Sequence, residues 1–260
     1  MRIVCWNTQR KQQVSGYVAG TLLQDHARLS IDVLGAIEPI GTGSYRVILE
    51  GDPTPDPGSQ DGRGVLARRC KGTGLEGEKE DVLVFWRNDS VNVTSQVAFN
   101  DAMRSGEHSG YRVPLAFTVT DRRPPGNSYV VAFWHAAPPN KSEANRTAFN
   151  NKFCKVSEKL GLGVGLVLGD FNSTTDTGWG PRDAPYVLAG PPRHFLTMVK
   201  PDDKFHEGSE IFDRVMVRGV GVTRAGRVYG SRAADGDLAV LPANFGGTYS
   251  DHVPVYADVA

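Results

Sequence analysis

The sequence predicts an α/β protein in which short strands outnumber helices, organised as a single domain over residues 1–260. Three observations carry that reading. Residues 2 to 37 follow the order strand, helix, strand; short apolar runs recur between clusters of Gly, Pro and Asp; and one long helical apolar pattern lies past the middle. A chain of 260 residues suffices for one large core, and neither an internal period nor a break in composition divides it.

Composition narrows the class. Hydrophobic residues make up 40% and charged residues 22%, as in an ordinary globular protein, which excludes collagen-like, disordered and membrane-bundle chains. Lys and Arg number 29, as do Asp and Glu, so no net field gathers polyanions from a distance. A nucleic-acid partner must therefore be held by a local basic patch or a bound cation. Cys5, Cys70 and Cys154 are an odd, sparse set that argues against a disulfide framework. The opening Met-Arg-Ile-Val-Cys-Trp-Asn lacks a leader pattern, and no apolar stretch is long enough to span a bilayer. The expectation is a cytoplasmic protein by default, with secretion or effector delivery as alternatives.

The elements follow in order. Arg2 to Asn7 reads as a buried strand. Tyr17 to Leu29 suits an amphipathic helix through Val18, Leu22 and Leu29, and Ile31 to Ile37 reads as a second buried strand ending at Glu38-Pro39. Gly51 to Gly64 and Lys71 to Asp81 read as surface loops. Further strands are predicted at Val65 to Arg68, Val82 to Trp86, Val91 to Phe99, Arg112 to Thr120 and Tyr129 to Trp134. Ser142 is placed to cap a helix from Glu143 to Leu160, with Phe149, Phe153, Val156 and Leu160 on one face. The glycines of Gly161-Leu-Gly-Val-Gly165 end that helix rather than form a phosphate loop, because they follow a helix and precede a strand. Strands are then predicted at Val164 to Leu168, Phe195 to Val199, Ile211 to Val217, Arg227 to Ser231 and Val253 to Val259, with a Pro-rich spacer over Pro181 to Pro192.

Polar residues gather at the ends of these runs. Asn7, Glu38 and His135 each follow an apolar strand, Asp170 and Asn172 follow Val164 to Leu168, Asp213 lies in Ile211-Phe-Asp-Arg-Val215, and Asp251-His252 precede the last strand. Any one of these has a bland reading as a turn former or a structural histidine. Together they supply hard oxygen donors suited to Mg²⁺, Mn²⁺ or Ca²⁺ rather than zinc. Two histidines near carboxylates supply the proton transfers that phosphoester hydrolysis needs.

These motifs resemble the endonuclease/exonuclease/phosphatase superfamily, and most of all its deoxyribonuclease I branch. The matching segments are Trp6-Asn7, Ile37-Glu38, Trp134-His135-Ala-Ala-Pro138, Leu168-Gly-Asp-Phe-Asn172, Ile211-Phe-Asp-Arg-Val-Met-Val217 and Ser250-Asp-His-Val-Pro254, in family order along nearly the whole chain. The resemblance implies a four-layer sandwich of two mixed β-sheets flanked by helices. It implies Glu38 as principal ligand of a Mg²⁺ ion, with Asn7 and Asp251 close by; Mn²⁺ is an alternative and Ca²⁺ an auxiliary. It places Asp170 and Asn172 in the phosphate pocket. His252 becomes a general base oriented by Asp213, and His135 a second histidine that stabilises the phosphate or acts as general acid. Glu80 matches a glutamate that pairs with His135, and Arg112, with Asn7 and Asn172, a group that holds substrate phosphate.

The resemblance implies a metal-dependent DNA endonuclease. Departures keep a second reading open: the branch's paired cysteines are missing, and the positions of its minor-groove arginine and tyrosine hold Ile40 and Glu78. Relatives include the catalytic subunit of cytolethal distending toxins, which implies a carrier or immunity partner if this chain is a toxin module. Others hydrolyse phosphoinositides, so a small phosphoester is the alternative substrate. A binding module with a decayed centre is the alternative of another class.

Overall fold

The structure is a computed structural model. It describes residues 1–8, 29–37, 48–49, 63–71, 79–87, 89–104, 114–136, 146–147, 149–173, 179–200, 202, 204–205, 211–230, 237–243, 245 and 250–260; over 48–49, 63–71, 79–81, 83 and 104 only the backbone is described. The helix expected at 17–29 falls outside these residues except for its last, Leu29.

Two mixed sheets form the body. In chain order the strands are β1 (Arg2–Asn7), β2 (Val33–Ile37), β3 (Ile48–Leu49), β4 (Arg63–Lys71), β5 (Lys79–Arg87), β6 (Val91–Ser95), β7 (Leu115–Asp121), β8 (Ser128–His135), β9 (Val164–Asp170), β10 (Val187–Leu188), β11 (Asp213–Val217), β12 (Val222–Arg227), β13 (Tyr229–Gly230), β14 (Ala239–Val240) and β15 (Val255–Val259). Among the described residues the first sheet runs β12-β15-β1-β2-β5-β4-β3 and the second β10-β11-β9-β8-β7-β6, with β13 and β14 as a small separate pair. Both large sheets mix parallel pairs, β1 with β2 and β3 with β4 in the first and β8 with β9 in the second, with antiparallel neighbours.

Strand alternation builds the layers. On β1, Ile3 and Cys5 face the second sheet, where they join Phe117, Phe133, Leu166, Leu168 and Val215 in the central core. Val4 and Trp6 face the other way and pack with Leu34, Phe85, Tyr256 and Phe245. The outer face of the second sheet, with Ala116, Ala132, Trp134 and Val167, is covered by Phe99 and Met103 of helix α1 (Val97–Arg104) and by Phe149, Phe153 and Cys154 leading into helix α2 (Cys154–Lys159). Burial on both faces explains why β1, β2 and β9 are continuously apolar rather than alternating. Gly35 of β2 permits close contact between the sheets, since a Cβ there would lie 2.3 Å from the Phe133 ring.

Several predicted elements are corrected. The strand expected over 91–99 ends at Ser95, and Phe99 belongs to α1. Asn100 causes the change: its side chain accepts from Ala116 N at 2.9 Å and donates to Ala116 O at 2.9 Å, taking the place of a strand partner on β7. Phe195 to Val199 is no strand but a 3₁₀ turn, Pro192–Phe195, followed by isolated bridges of Met198 to His252 and Val199 to Phe205. The loops expected at 51–64 and 71–81 lie outside the described residues over 51–62 and 72–78, while their described ends belong to β4, from Arg63, and β5, from Lys79, an antiparallel ladder from Arg63 opposite Arg87 to Lys71 opposite Lys79. The strand expected at 227–231 is divided at Val228 between β12 and β13.

Of the long helix predicted over 143–160, residues 146–147 are helical and Phe149–Phe153 form a π turn that runs into α2. The wide turn shifts the buried face by one residue, so Cys154 and Ser157 continue it while Leu160 is 42% exposed. Gly161, at φ 61°, then ends the helix as expected.

Candidate active site

Sheet register brings the candidate residues of the second sheet into one row. β9 lies between β8 and β11, and Asp170 at its end stands opposite both His135 and Asp213. From the first sheet come Asn7, at the end of β1, and His252, just before β15, the antiparallel neighbour of β1. Parallel pairing of β8 with β9 puts two carboxyl ends side by side, which is where α/β proteins assemble sites from different parts of the chain.

Each residue of Gly169-Asp-Phe-Asn172 has its own task. Gly169 adopts φ 145°, and a Cβ there would lie 1.8 Å from Trp134 O, so only glycine admits the β8 backbone this closely. Asp170 is 2% exposed and accepts from Asn7 Nδ2 at 2.9 Å through Oδ2 and from Asn172 N at 2.8 Å through Oδ1. Phe171 is buried edge-on against Trp134 and Trp179 and anchors the turn. Asn172 takes the left-handed conformation, φ 46°, which asparagine tolerates better than most residues, and its Nδ2 donates to Ala136 O at 2.9 Å.

Ser250-Asp-His252 is tied to Trp6-Asn7 across the whole sequence. Trp6 Nε1 donates to His252 O at 2.7 Å, and Ser250 Oγ donates to Asn7 O at 2.8 Å while accepting from His252 N at 3.1 Å. His252 Nδ1 then lies 2.6 Å from Asp213 Oδ2, a short charge-assisted contact. Thr197 Oγ1 donates to the same oxygen at 2.6 Å. On the other ring nitrogen, His252 Nε2 is 3.4 Å from Asp251 Oδ1. His135 Nε2 stands 3.7 Å from Asp170 Oδ2, within ion-pair range but beyond a hydrogen bond.

Electrostatics follow from this crowd of carboxylates. Burial opposes the His252 imidazolium, but the charge and hydrogen bond of Asp213, with Asp170 and Asp251 behind it, push the ring up to about 10. A cation bound among the same carboxylates would act in the opposite direction. Asp170, Asp213 and His252 offer ligand atoms within 4.8 Å of one another, a group that could hold a metal ion. Asn7 and the more open Asp251 add the oxygen chemistry that Mg²⁺ favours.

The expected residues are thus partly accounted for. Asn7, His135, Asp170, Asn172, Asp213, Asp251 and His252 converge on one end of the sandwich. Glu38 and Arg112 lie outside the described residues. Glu80 is on β5 opposite Cys70, with its side chain not described. Two contributors escaped the sequence reading. Thr197 was hidden in an expected strand, where it was the one polar residue among Phe195, Leu196, Met198 and Val199. Arg214 is fully buried, donates from Nε to Ile211 O at 2.8 Å and from Nη2 to Ser173 O, and lies over the Phe171 ring. A lone arginine inside an apolar strand was its signal.

No protein-family model and no curated protein matches the sequence. Solved structures do match. The catalytic domain of human Nocturnin, determined with a bound sulfate anion, superposes at a TM-score of 0.57 with 13% identity over 100% of this chain and 94% of that one. A truncated TDP2 of Caenorhabditis elegans gives 0.55 with 16% identity over 98% and 96%. An endonuclease/exonuclease/phosphatase family protein of Bacteroides thetaiotaomicron gives 0.53 with 14% identity over 99% and 93%. The chain has the endonuclease/exonuclease/phosphatase fold. The two mixed sheets that the resemblance implied are therefore present, and the converging residues sit in a fold matched over 98–100% of this chain. No helix among the described residues is long and apolar enough to cross a membrane.

Proposed function

We propose that the protein is a divalent-metal-dependent phosphodiesterase that cuts DNA internally, with residues 1–260 as one catalytic unit. The observation that carries hydrolysis is the contact of His252 Nδ1 with Asp213 Oδ2 at 2.6 Å beside an Asp170 carboxylate held by Asn7. Asp213 fixes the imidazole with Nδ1 toward the carboxylate, which leaves Nε2 to take a proton from water. The water oxygen attacks phosphorus in line with the departing oxygen. Asp170 and Asn172 orient the scissile group, and Arg112 holds a phosphate. His135, for which Glu80 is the proposed partner, stabilises the phosphoryl oxygens or returns a proton to the leaving oxygen. Glu38, Asp251 and Asn7 would hold Mg²⁺, which when bound offsets the charge that develops on the phosphoryl oxygens.

Similarity of the segments around His135-Ala-Ala-Pro138 and Phe212-Asp-Arg-Val215 to the deoxyribonuclease I branch supports DNA. The zero net charge, with Ile40 and Glu78 in place of groove contacts, favours the second reading, a phosphoinositide or other small phosphoester. One panel separates them: plasmid DNA, single-stranded DNA, RNA and phosphoinositide vesicles with Mg²⁺, tested on wild type, His135→Ala, Asp170→Ala and His252→Ala. Nicking by wild type that is lost in the variants supports the DNA reading. Phosphate release from inositol lipid without nicking selects the second. Equal nicking by all four proteins identifies a contaminant, and inactivity on every substrate leaves the decayed binding module.

A further inference from the structure

A buried ion pair lies outside the site and next to the segment that serves it. Arg227 is 6% and Asp237 2% exposed; Arg227 Nε is 2.8 Å from Asp237 Oδ1, and Nη2 is 3.3 Å from Oδ2. Phe205 covers the guanidinium at 4.1 Å. Room for the carboxylate comes from Gly230, where a Cβ would lie 1.5 Å from Asp237 Oδ2. Such a pair is poor evidence of net stabilisation, since removing both charges from water costs about as much as their attraction returns. Its third contact gives it a use: Arg227 Nη1 donates to Leu196 O at 2.9 Å.

Leu196 precedes Thr197, the residue that joins His252 on Asp213 Oδ2. The main chain of the same segment is also tied to the site, because Val253 N donates to Thr197 O at 2.9 Å and Val199 N to Asp251 O at 2.6 Å. We propose that Thr197, anchored through Leu196 by the Arg227–Asp237 pair, is a positioning residue for the Asp213–His252 contact. An ionised carboxylate only accepts, so the Thr197 hydroxyl must donate to it, and two donors on one oxygen fix the carboxylate rotamer. The guanidinium fork meets the carboxylate and the carbonyl together, a geometry that a lysine ammonium does not reproduce. Thr197 acts through Asp213 and touches no substrate in this scheme.

The kinetic part rests on the hydrolase reading, so the experiment carries a second readout that does not. The His252 Nδ1 proton, held toward Asp213, is followed by NMR in folded protein and assigned by its loss in His252→Ala. Thr197→Val is expected to shift or broaden this resonance and to lower kcat about tenfold with KM unchanged, while Thr197→Ser restores both. Arg227→Lys, and Arg227→Met combined with Asp237→Leu, are expected to disturb the resonance in the same direction; the paired apolar replacement avoids a lone buried charge. An unchanged resonance in Thr197→Val, or no recovery in Thr197→Ser, overturns the role of the hydroxyl. An unchanged resonance in either folded ion-pair variant overturns the anchor. Wild type without hydrolase activity removes the proposed reaction, and the resonance still decides Thr197.

Discussion

Asp213 and His252 are 39 residues apart in the chain and 2.6 Å apart at Oδ2 and Nδ1. Two different sheets deliver them, Asp213 at the start of β11 and His252 just before β15. Asp213→Asn keeps the shape but replaces the charged acceptor with an amide, so the imidazole loses its orienting partner. Hydrolysis is expected to fall by about three to four orders of magnitude, as for the aspartate of other orienting pairs, and the melting temperature to drop, because the buried His252 ring loses its charged partner. Steady-state kinetics beside a thermal melt checks both halves.

Gly169 is the backbone counterpart of that contact. Gly169→Ala sets a methyl 1.8 Å from Trp134 O at φ 145°, where neither backbone yields cheaply. A loss of about 3 kcal/mol or more is expected in denaturant unfolding, together with displacement of Asp170. Gly219 serves as control, since at φ 68° it has nothing within 4 Å. Gly219→Ala should cost only the left-handed backbone penalty of about 1 kcal/mol.

At the opposite end of the sandwich, a hydrogen bond from Arg123 lowers the Asp121 carboxyl below its ordinary value of 3.8. Arg123 reaches Asp32 Oδ2 as well, at 3.2 Å. A carboxyl depressed by folding contributes stability that is present above its unfolded pKa and is lost as pH falls through the folded value. Arg123→Gln is therefore expected to raise the midpoint of acid unfolding below pH 4, followed by circular dichroism. The shift should be small and should shrink in 1 M salt, because Arg123 is 52% exposed.

Burial pushes the Cys5 thiol well above its ordinary value and Cys154 up to about 12. Thiolate is the reactive form, so neither residue should alkylate in native protein at pH 8. Peptide mass spectrometry after iodoacetamide treatment, native and in guanidinium, is expected to show modification of Cys5 and Cys154 only when the chain is unfolded.

What could be read from the sequence follows from the range over which its signals act. Apolar runs bounded by turn residues located β1, β2, β8, β9 and β15 to within a few residues, because alternation and burial are local properties of a strand. Strand-end polar residues in family order marked seven side chains that the fold does bring together. Three of the misread elements are ones where one side chain or one extra residue redirects the backbone: Asn100 standing in for a strand partner, the π turn before α2, and the segment after Phe195 whose residues each bond a different neighbour.

The sequence by itself therefore determined the fold class and the identity of the polar groups at the strand ends. Tertiary structure decided which of them touch. Trp6 with His252 and Ser250 with Asn7 are joined over 246 and 243 residues, and no local pattern encodes contacts at that separation. Thr197 became visible for the same reason: its hydroxyl has meaning only once β11 and the chain before β15 have brought Asp213 and His252 to it.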